Sequence, residues 1–437
     1  ESKGSLRVRY YARQKMNGAE IKPWSEVPQE DKEMLRQIAE LSPYNAYGTH
    51  AAGLVVTTTS EDFDSLVPLM NVASSKTMVS QYDMGDIEKL GLVKLDVLGL
   101  KTLSILNKAM VNLGKDPFAG LDWIPLNDDK TFKAISKGQT EGVFQLEGVS
   151  ARFGCKELMP TKVSDIVAAM ALFRPATMDS GATKSYIRRK HGEEAIPEMH
   201  SIISKNTKST YGIMLFQEQV ISILRDLGMD ADNLTAFLKA VKASNSDVGD
   251  AGGIIAGYRT SVREMAFGKG MNENDFAWLW GAIEGFAAYG FNQAHSVAYG
   301  LTAYRCAYLA NNHPTEFFAA VLAIAAGTDK EPGYISAARR HGVRILPTDV
   351  SFSDVTYSVD KKRGAIRKGL LSVKGVGEKA AIEIVSSRPE NGWKDRIEFA
   401  TVVSHRKVTG IKALKDGDCS VGTIGKLYEA GALESIS

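Results

Sequence analysis

Between Leu92 and Leu98 the chain alternates. Val93, Leu95 and Val97 fall on one face of an extended segment, and Lys94 and Asp96 fall together on the other, because side chains two residues apart in a strand share a face. A second β-rich run, His50 to Val56, predicts a companion strand in the same sheet, the two joined through Pro68-Leu69 and the polar segment Gln81 to Glu88. After Gly99 the period changes. Phe216, Val220, Ile223, Leu224 and Leu227 recur at helical spacing, with Gly228 where a C-terminal cap belongs. Ser296 to Ala310 reads as a helix broken at Asn311-Asn312-His313, with a new start at Pro314. Residues 102 to about 345 therefore predict a mostly α-helical domain. Near residue 350 alternation returns in Val355, Tyr357 and Val359, followed by the basic turn Asp360 to Gly364 and a further strand. At the other end, Ser25 and Pro28 open a helix carrying the stripe Met34, Leu35, Ile38 and Leu41, preceded by a basic stretch from Arg7 to Arg13. That segment reads as the tail of a domain.

The 437 residues allow roughly two to four domains, and 44% hydrophobic with 24% charged residues is ordinary globular composition. The formal net charge of +2 makes no global basic field, so nucleic-acid contacts must rest on local patches. Three cysteines far apart in sequence argue for a reducing compartment and against both a disulfide framework and a zinc site. No apolar run reaches the about 20 residues that span a bilayer. Phe317 to Ala326, the most hydrophobic stretch, predicts a buried helix. The chain starts at Glu1 rather than Met, which fits a beginning inside a longer product.

Four constellations could carry chemistry. Lys94 and Asp96 on one strand face suit a site for a metal ion beside a bound anion, and suit equally a structural ion pair. Val373-Lys374-Gly375-Val376-Gly377-Glu378-Lys379-Ala380-Ala381 places a glycine turn before a helix. Backbone N–H groups at such a helix start, flanked by Lys374 and Lys379, suit a DNA phosphate contacted without reading sequence, as in a helix-hairpin-helix motif. Lys184, Arg188, Arg189 and Lys190 form a second basic cluster, read either as phosphate ligands or as a solvated helix face. Ala288 to Ser296 packs aromatic rings, an amide and an imidazole around Gly290, able to stack on a base or simply to cap a helix. Tyr211-Gly212 and Phe216 to Gln219 share that ambiguity. Gln217 and Glu218 face away from the apolar stripe and are expected in solvent.

Taken together, these segments resemble the C family of bacterial replicative DNA polymerases, the polymerase III α type. The matching residues are His50 to Gly53, Gln81 to Met84, Gly91 to Leu100, Val143 to Glu147, Ala171 to Pro175, Arg189 to Gly192, Tyr211 to Ile213, Gln217 to Val220, Tyr289 to Asn292, His295-Ser296 and Val373 to Glu378. They occur in family order from about residue 48 onward. The resemblance implies an α+β chain in which a partial, mixed, nucleotidyltransferase-like palm sheet precedes a large helical fingers domain and a helix-hairpin-helix module. The expected parts are a thumb remnant at 1–47, the second half of the palm at 48–101, fingers at 102–350, and their helix-hairpin-helix end at 351–437. It also implies template-directed primer extension with two Mg²⁺ ions. Asp96 corresponds to the third of three metal-binding aspartates, and Lys94 to the palm lysine near the triphosphate. Tyr211, Lys239, Asn292 and His295 match positions lining the nucleotide site. Lys374, Gly375, Gly377 and Lys379 match the hairpin holding duplex backbone, with Arg188, Arg189 and Lys190 as further DNA contacts.

Departures from the family pattern shape the expectation. The Pro-Asp-x-Asp-x-Asp-Phe segment with the first two aspartates does not occur in these residues, and neither does the upstream Gly-Arg-Gly-Ser phosphate loop. Only Lys239 keeps a charge in Phe237 to Val241, where the family has two adjacent basic residues, and Gln293 replaces a usual lysine. The expected chain is thus inactive alone. It would be completed by a polypeptide or upstream segment supplying the remaining palm and thumb. Its other partners would be primer-template DNA, deoxynucleotides and a sliding clamp reached through that partner. It would work away from membranes, in the cytoplasm of a bacterial or virus-infected bacterial cell. A non-catalytic DNA-binding scaffold derived from a polymerase is the alternative, and a lesion-bypass paralogue a third reading.

Overall fold

The computed structural model describes residues 29, 33, 53–57, 63–71, 78–244, 251–289, 291–390, 392–404 and 419–436. The helix anticipated from Ser25 to Leu41 and the basic stretch before it lie outside the described residues, apart from Gln29 and Glu33, which are helical. The chain divides into two compact units, residues 1–100 with 242–254, and residues 101–241 with 255–437.

In the first unit, β1 (Gly53–Val56) pairs antiparallel with β4 (Val93–Asp96), so the two anticipated strands do share a sheet. Between them β2 (Leu69–Asn71) and β3 (Met78–Ser80) form a second antiparallel pair, and α1 (Met84–Lys89) precedes β4. The polar segment Gln81 to Glu88 is therefore more than a connector. The Gln81 side chain donates to the Leu69 carbonyl at 2.9 Å, and Asp83 caps α1 by accepting from the Asp86 N–H at 3.0 Å. Val67, Ile87 and Leu92 make the small core, with Val55 packed against it. The opposite face of the ribbon, Leu54, Val56, Val93 and Leu95, is exposed.

The second unit is helical with a small mixed sheet, which makes the chain α+β. Its main core gathers around α2 (Pro314–Ala325), whose Phe317 to Leu322 are all buried. Proline at the first helical position and the His313 break start this helix where the sequence placed it. Each buried Phe or Leu here contributes about 2 kcal/mol of apolar burial. Helix α3 (Gln293–Asn312) packs against α4 (Val163–Leu172) so closely that a Cβ on Gly300 would sit 2.9 Å from the Val167 Cα. A second core surrounds α5 (Gln217–Leu227), which ends at Gly228 with a φ of 110°. A mixed sheet of order β5 (Ile345–Leu346), β7 (Ala365–Arg367), β6 (Ser358–Asp360) leads into the third core. There α6 (Glu378–Ser386), α7 (Arg396–Val403) and α8 (Val421–Glu429) bury Val376, Ile384, Phe399 and Leu427. No helix of the described residues is long and apolar enough to cross a membrane.

His341 packs its ring 5.2 Å from that of Phe318, and burial holds its imidazole below the ordinary value, with Arg340 and Lys130 adding to the shift and Glu141 opposing it. The unfolded chain thus binds the proton more readily than the folded one, so stability is retained above pH 6.5 and falls as pH drops below it. Melting temperature is expected to decline between pH 7 and pH 5 in the wild type. That decline should flatten in His341→Gln, and equal slopes in the two proteins would reject the assignment.

Candidate functional site

The register of the ribbon sets Gly53 opposite Asp96 and Val55 opposite Lys94. Lys94 and Asp96 project to the same side, as the alternation requires, and the ammonium donates to both carboxylate oxygens at 2.6 and 2.8 Å. The Lys94 side chain is 18% exposed and that of Asp96 44%. The ion pair is thus formed, and it leaves the carboxylate reachable from solvent. Among the described residues no group of three or more His, Cys, Asp or Glu is placed to hold a metal ion. One carboxylate engaged by an ammonium does not fit a two-ion centre by itself.

In the second unit, a short parallel bridge joins Phe216 to Phe291, and the Gln217 N–H donates to the Phe291 carbonyl at 2.9 Å. This fixes the loop before α3 against the start of α5. Asn292 caps α3, its Oδ1 accepting from the His295 N–H at 2.8 Å. Glu218 is not simply solvated, as anticipated from the helical stripe. It accepts from the Gln293 N–H at 2.8 Å, where the helix dipole favours a negative charge. His295 is exposed, with its ring 3.8 Å from Tyr299 and 5.2 Å from Phe291, and the Arg174 guanidinium lies 4.0 Å from the Phe291 ring. Sequence reading missed Tyr299 and Arg174. The four-residue spacing from His295 to Tyr299 on one helix was a usable signal; nothing local pointed from Arg174 to Phe291.

Tyr211 sits in the left-handed region with a φ of 54° and stacks edge-on against Tyr186 at 5.1 Å. It and Phe291 both pack on the core that contains Leu215 and Phe216. Tyr211 and the Asn292–His295 loop thus border one core. Lys239 lies in the helix Ala231–Ser244, and its side chain is outside the described residues.

The basic cluster divides by direction. Arg189 donates to Glu194 at 2.8 Å and to the Tyr211 carbonyl at 3.1 Å, which fixes the unusual Tyr211 backbone. Lys190 donates to the Met159 carbonyl at 2.9 Å and stands 3.6 Å from Asp165, the two side chains only 8% and 1% exposed. A phosphate would have to compete with these partners. Lys184 and Arg188 are exposed, and Arg188 stands 3.8 Å from Glu194.

The hairpin has the form its glycines require. Gly375 takes a φ of 89°, and Gly377 caps α6 without any side chain to accept the first-turn N–H groups. Lys374, Gly375, Gly377 and Lys379 are exposed around that turn, while Val373, Val376 and Ala380 anchor it. Lys426 of α8 reaches over Gly375, where a Cβ would collide with its ammonium, and so adds a cation that sequence spacing could not reveal.

Comparison with known proteins accounts for this assembly. Residues 8–99 match the bacterial DNA polymerase III alpha NTPase domain, residues 102–249 the finger domain of the same subunit, and residues 342–437 the helix-hairpin-helix motif. The DNA polymerase III subunit alpha of Aquifex aeolicus is 37% identical over 369 residues, covering 82% of this chain and 30% of the relative. That of Thermus aquaticus is 33% identical over 431 residues, 95% of this chain and 33% of the relative. That of Escherichia coli K12 is 34% identical over 359 residues, 79% and 30% respectively. The chain spans about a third of the length of the curated relatives it matches. With ordered matches running from the ribbon through the fingers to the hairpin, the chain belongs to the bacterial DNA polymerase III alpha subunit family.

Proposed function

We propose that this chain supplies half of a palm, the fingers and a duplex-gripping hairpin to a template-directed DNA polymerase, and that carboxylates outside these 437 residues complete the reaction centre. The observation that carries the reading is the solvent-reachable Asp96 carboxylate, held with Lys94 on one face of the β1–β4 ribbon inside the family-matched region. Asp96 is assigned as one carboxylate ligand of a Mg²⁺ site whose remaining ligands come from a Pro-Asp-x-Asp-x-Asp segment carried elsewhere. Bound there, the metal would supply charge neutralisation for phosphoryl transfer. Lys94 keeps the Asp96 carboxylate aligned and offers a cation to an incoming triphosphate. Arg174, Tyr211, Asn292 and His295 border the deoxynucleotide, with the ring of His295 and the backbone of the capped α3 start presented to it. Lys374, Lys379 and the Gly375–Gly377 turn hold duplex phosphates without reading bases.

The exposed apolar face of Leu54, Val56, Val93 and Leu95 supports a tight palm partner, because strands do not leave such a face in water without consequence. Mixing the purified chain with a polypeptide that carries the missing aspartates should restore primer extension with Mg²⁺. The chain alone should bind primer-template and extend nothing, and extension by the chain alone would refute the shared centre. One observation favours a second reading, a non-catalytic DNA-binding scaffold: Lys94 already contacts both oxygens of Asp96. Under that reading the mixture binds DNA and never extends it.

A further inference from the structure

The β6–β7 hairpin is not needed for the functions assigned above, and its tip is strongly cationic. Its tip carries Lys361, Lys362 and Arg363 in succession, all exposed, and Arg344 donates to the Arg363 carbonyl beneath them. Asp360 balances only part of this charge, since it accepts from both Arg363 at 3.1 Å and Arg367 at 2.9 Å and leaves the two lysines without an acidic partner among the described residues. Beside the tip stands Phe352, 51% exposed, with the Arg363 and Arg367 guanidiniums 5.1 and 5.3 Å from its ring centre. Water gains nothing from such a ring. An exposed aromatic flanked by guanidinium planes and a run of cations is the pairing that binds single-stranded nucleic acid, whose bases offer faces to stack on while its phosphates take the charge.

The geometry points to this hairpin as a landing site for single-stranded DNA, the unpaired template strand next to the duplex. The inference rests on the polymerase reading and goes beyond it by naming where the unpaired strand is held. The placement fits. Strand β7 runs from the tip toward Leu370 and then into the Val373–Gly377 turn, so only a short stretch of chain separates the hairpin, seated on the main core through Val359 and Ile366, from the duplex-binding motif, seated on the third core. A duplex keeps its base faces covered, and so cannot use Phe352. That is why an unpaired strand, rather than more duplex, is the occupant.

Binding of the full chain to labelled oligonucleotides, followed by fluorescence anisotropy across a salt series, tests this. Three DNAs serve as probes: a single strand, a primer-template with a long template overhang, and a blunt duplex. The exposed double substitution Lys361→Gln with Lys362→Gln should weaken single-strand and overhang binding on the order of 20-fold at 0.1 M salt. It should also make the slope of log affinity against log salt shallower by about 1.4, the contribution of two single-strand phosphates. Phe352→Leu, which keeps an apolar side chain and removes the aromatic face, should weaken the same two probes with the salt slope unchanged. The blunt duplex should be indifferent to both substitutions. Equal losses on all three DNAs would overturn the single-strand assignment, and so would no loss on any. Failure of the wild-type chain to bind any DNA would sink the polymerase reading itself, and is told apart by needing no variant.

Discussion

Replacing Asp96 with Ala in the assembled polymerase is expected to lower primer extension on the order of 10³-fold while leaving DNA affinity and the fold unchanged. Losing one carboxylate from a shared ion site forfeits several kcal/mol of charge stabilisation, and each 1.36 kcal/mol is about tenfold in rate. The fold should tolerate the change because Asp96 terminates β4 and its side chain is 44% exposed, so the β1–β4 ladder and the Val67–Ile87–Leu92 core stay intact. Single-turnover extension with the partner present is the measurement. Asp96→Asn should lose nearly as much as Ala, because it keeps the shape and removes the charge. Full activity in both variants would remove Asp96 from the reaction centre and favour the scaffold.

Lys190→Met is expected to cost about 3–5 kcal/mol of folding stability, read as a lowered denaturant midpoint. The reason is Asp165, which is fully buried at the start of α4 and held by the Thr161 N–H at 2.9 Å. Its other oxygen has no hydrogen-bond partner, so removing the Lys190 ammonium 3.6 Å away leaves an uncompensated charge in the core. Adding Asp165→Asn should recover much of the loss, since the two side chains act as one unit. DNA affinity of the folded protein should stay within about twofold, well short of what a lost charge-assisted contact costs. A variant that keeps its midpoint and loses DNA binding would return Lys190 to the phosphate ligands.

Legibility in the sequence followed the range of each interaction. The separate strands of the ribbon, the α5 stripe with its Gly228 cap, the Pro314 helix start and the hairpin turn were all readable, because each is set by neighbours within a few residues, whereas the register of β1 on β4 is set across a long stretch of chain. The pairing of Lys94 with Asp96 was readable for the same reason, a two-residue spacing on one strand. What spacing could not reveal depends on chain segments meeting from afar. Lys190 and Asp165 are 25 residues apart and pair inside the protein, so a run that reads as surface charge is in fact divided between core and solvent. Glu218 meets the N–H of Gln293 across 75 residues, which turns an apparently solvated acid into a helix cap. The strands β2 and β3 escaped notice because each has only three residues, too few for alternation to register. The assignment of Asp96, Tyr211, Asn292 and His295 to a nucleotide site came from family likeness. The structure adds their surroundings: a capped helix start, stacked rings and one engaged carboxylate.

All three sulfhydryls, Cys155, Cys306 and Cys419, are unbridged and buried, and burial pushes them up to about 12, about 12 and about 11. At neutral pH they stay protonated and out of reach, so oxidants and maleimides should pass them by. The native chain is therefore already suited to site-directed spectroscopy: a single new cysteine at Lys361 or Lys374 would take a dye without first stripping the protein of its own.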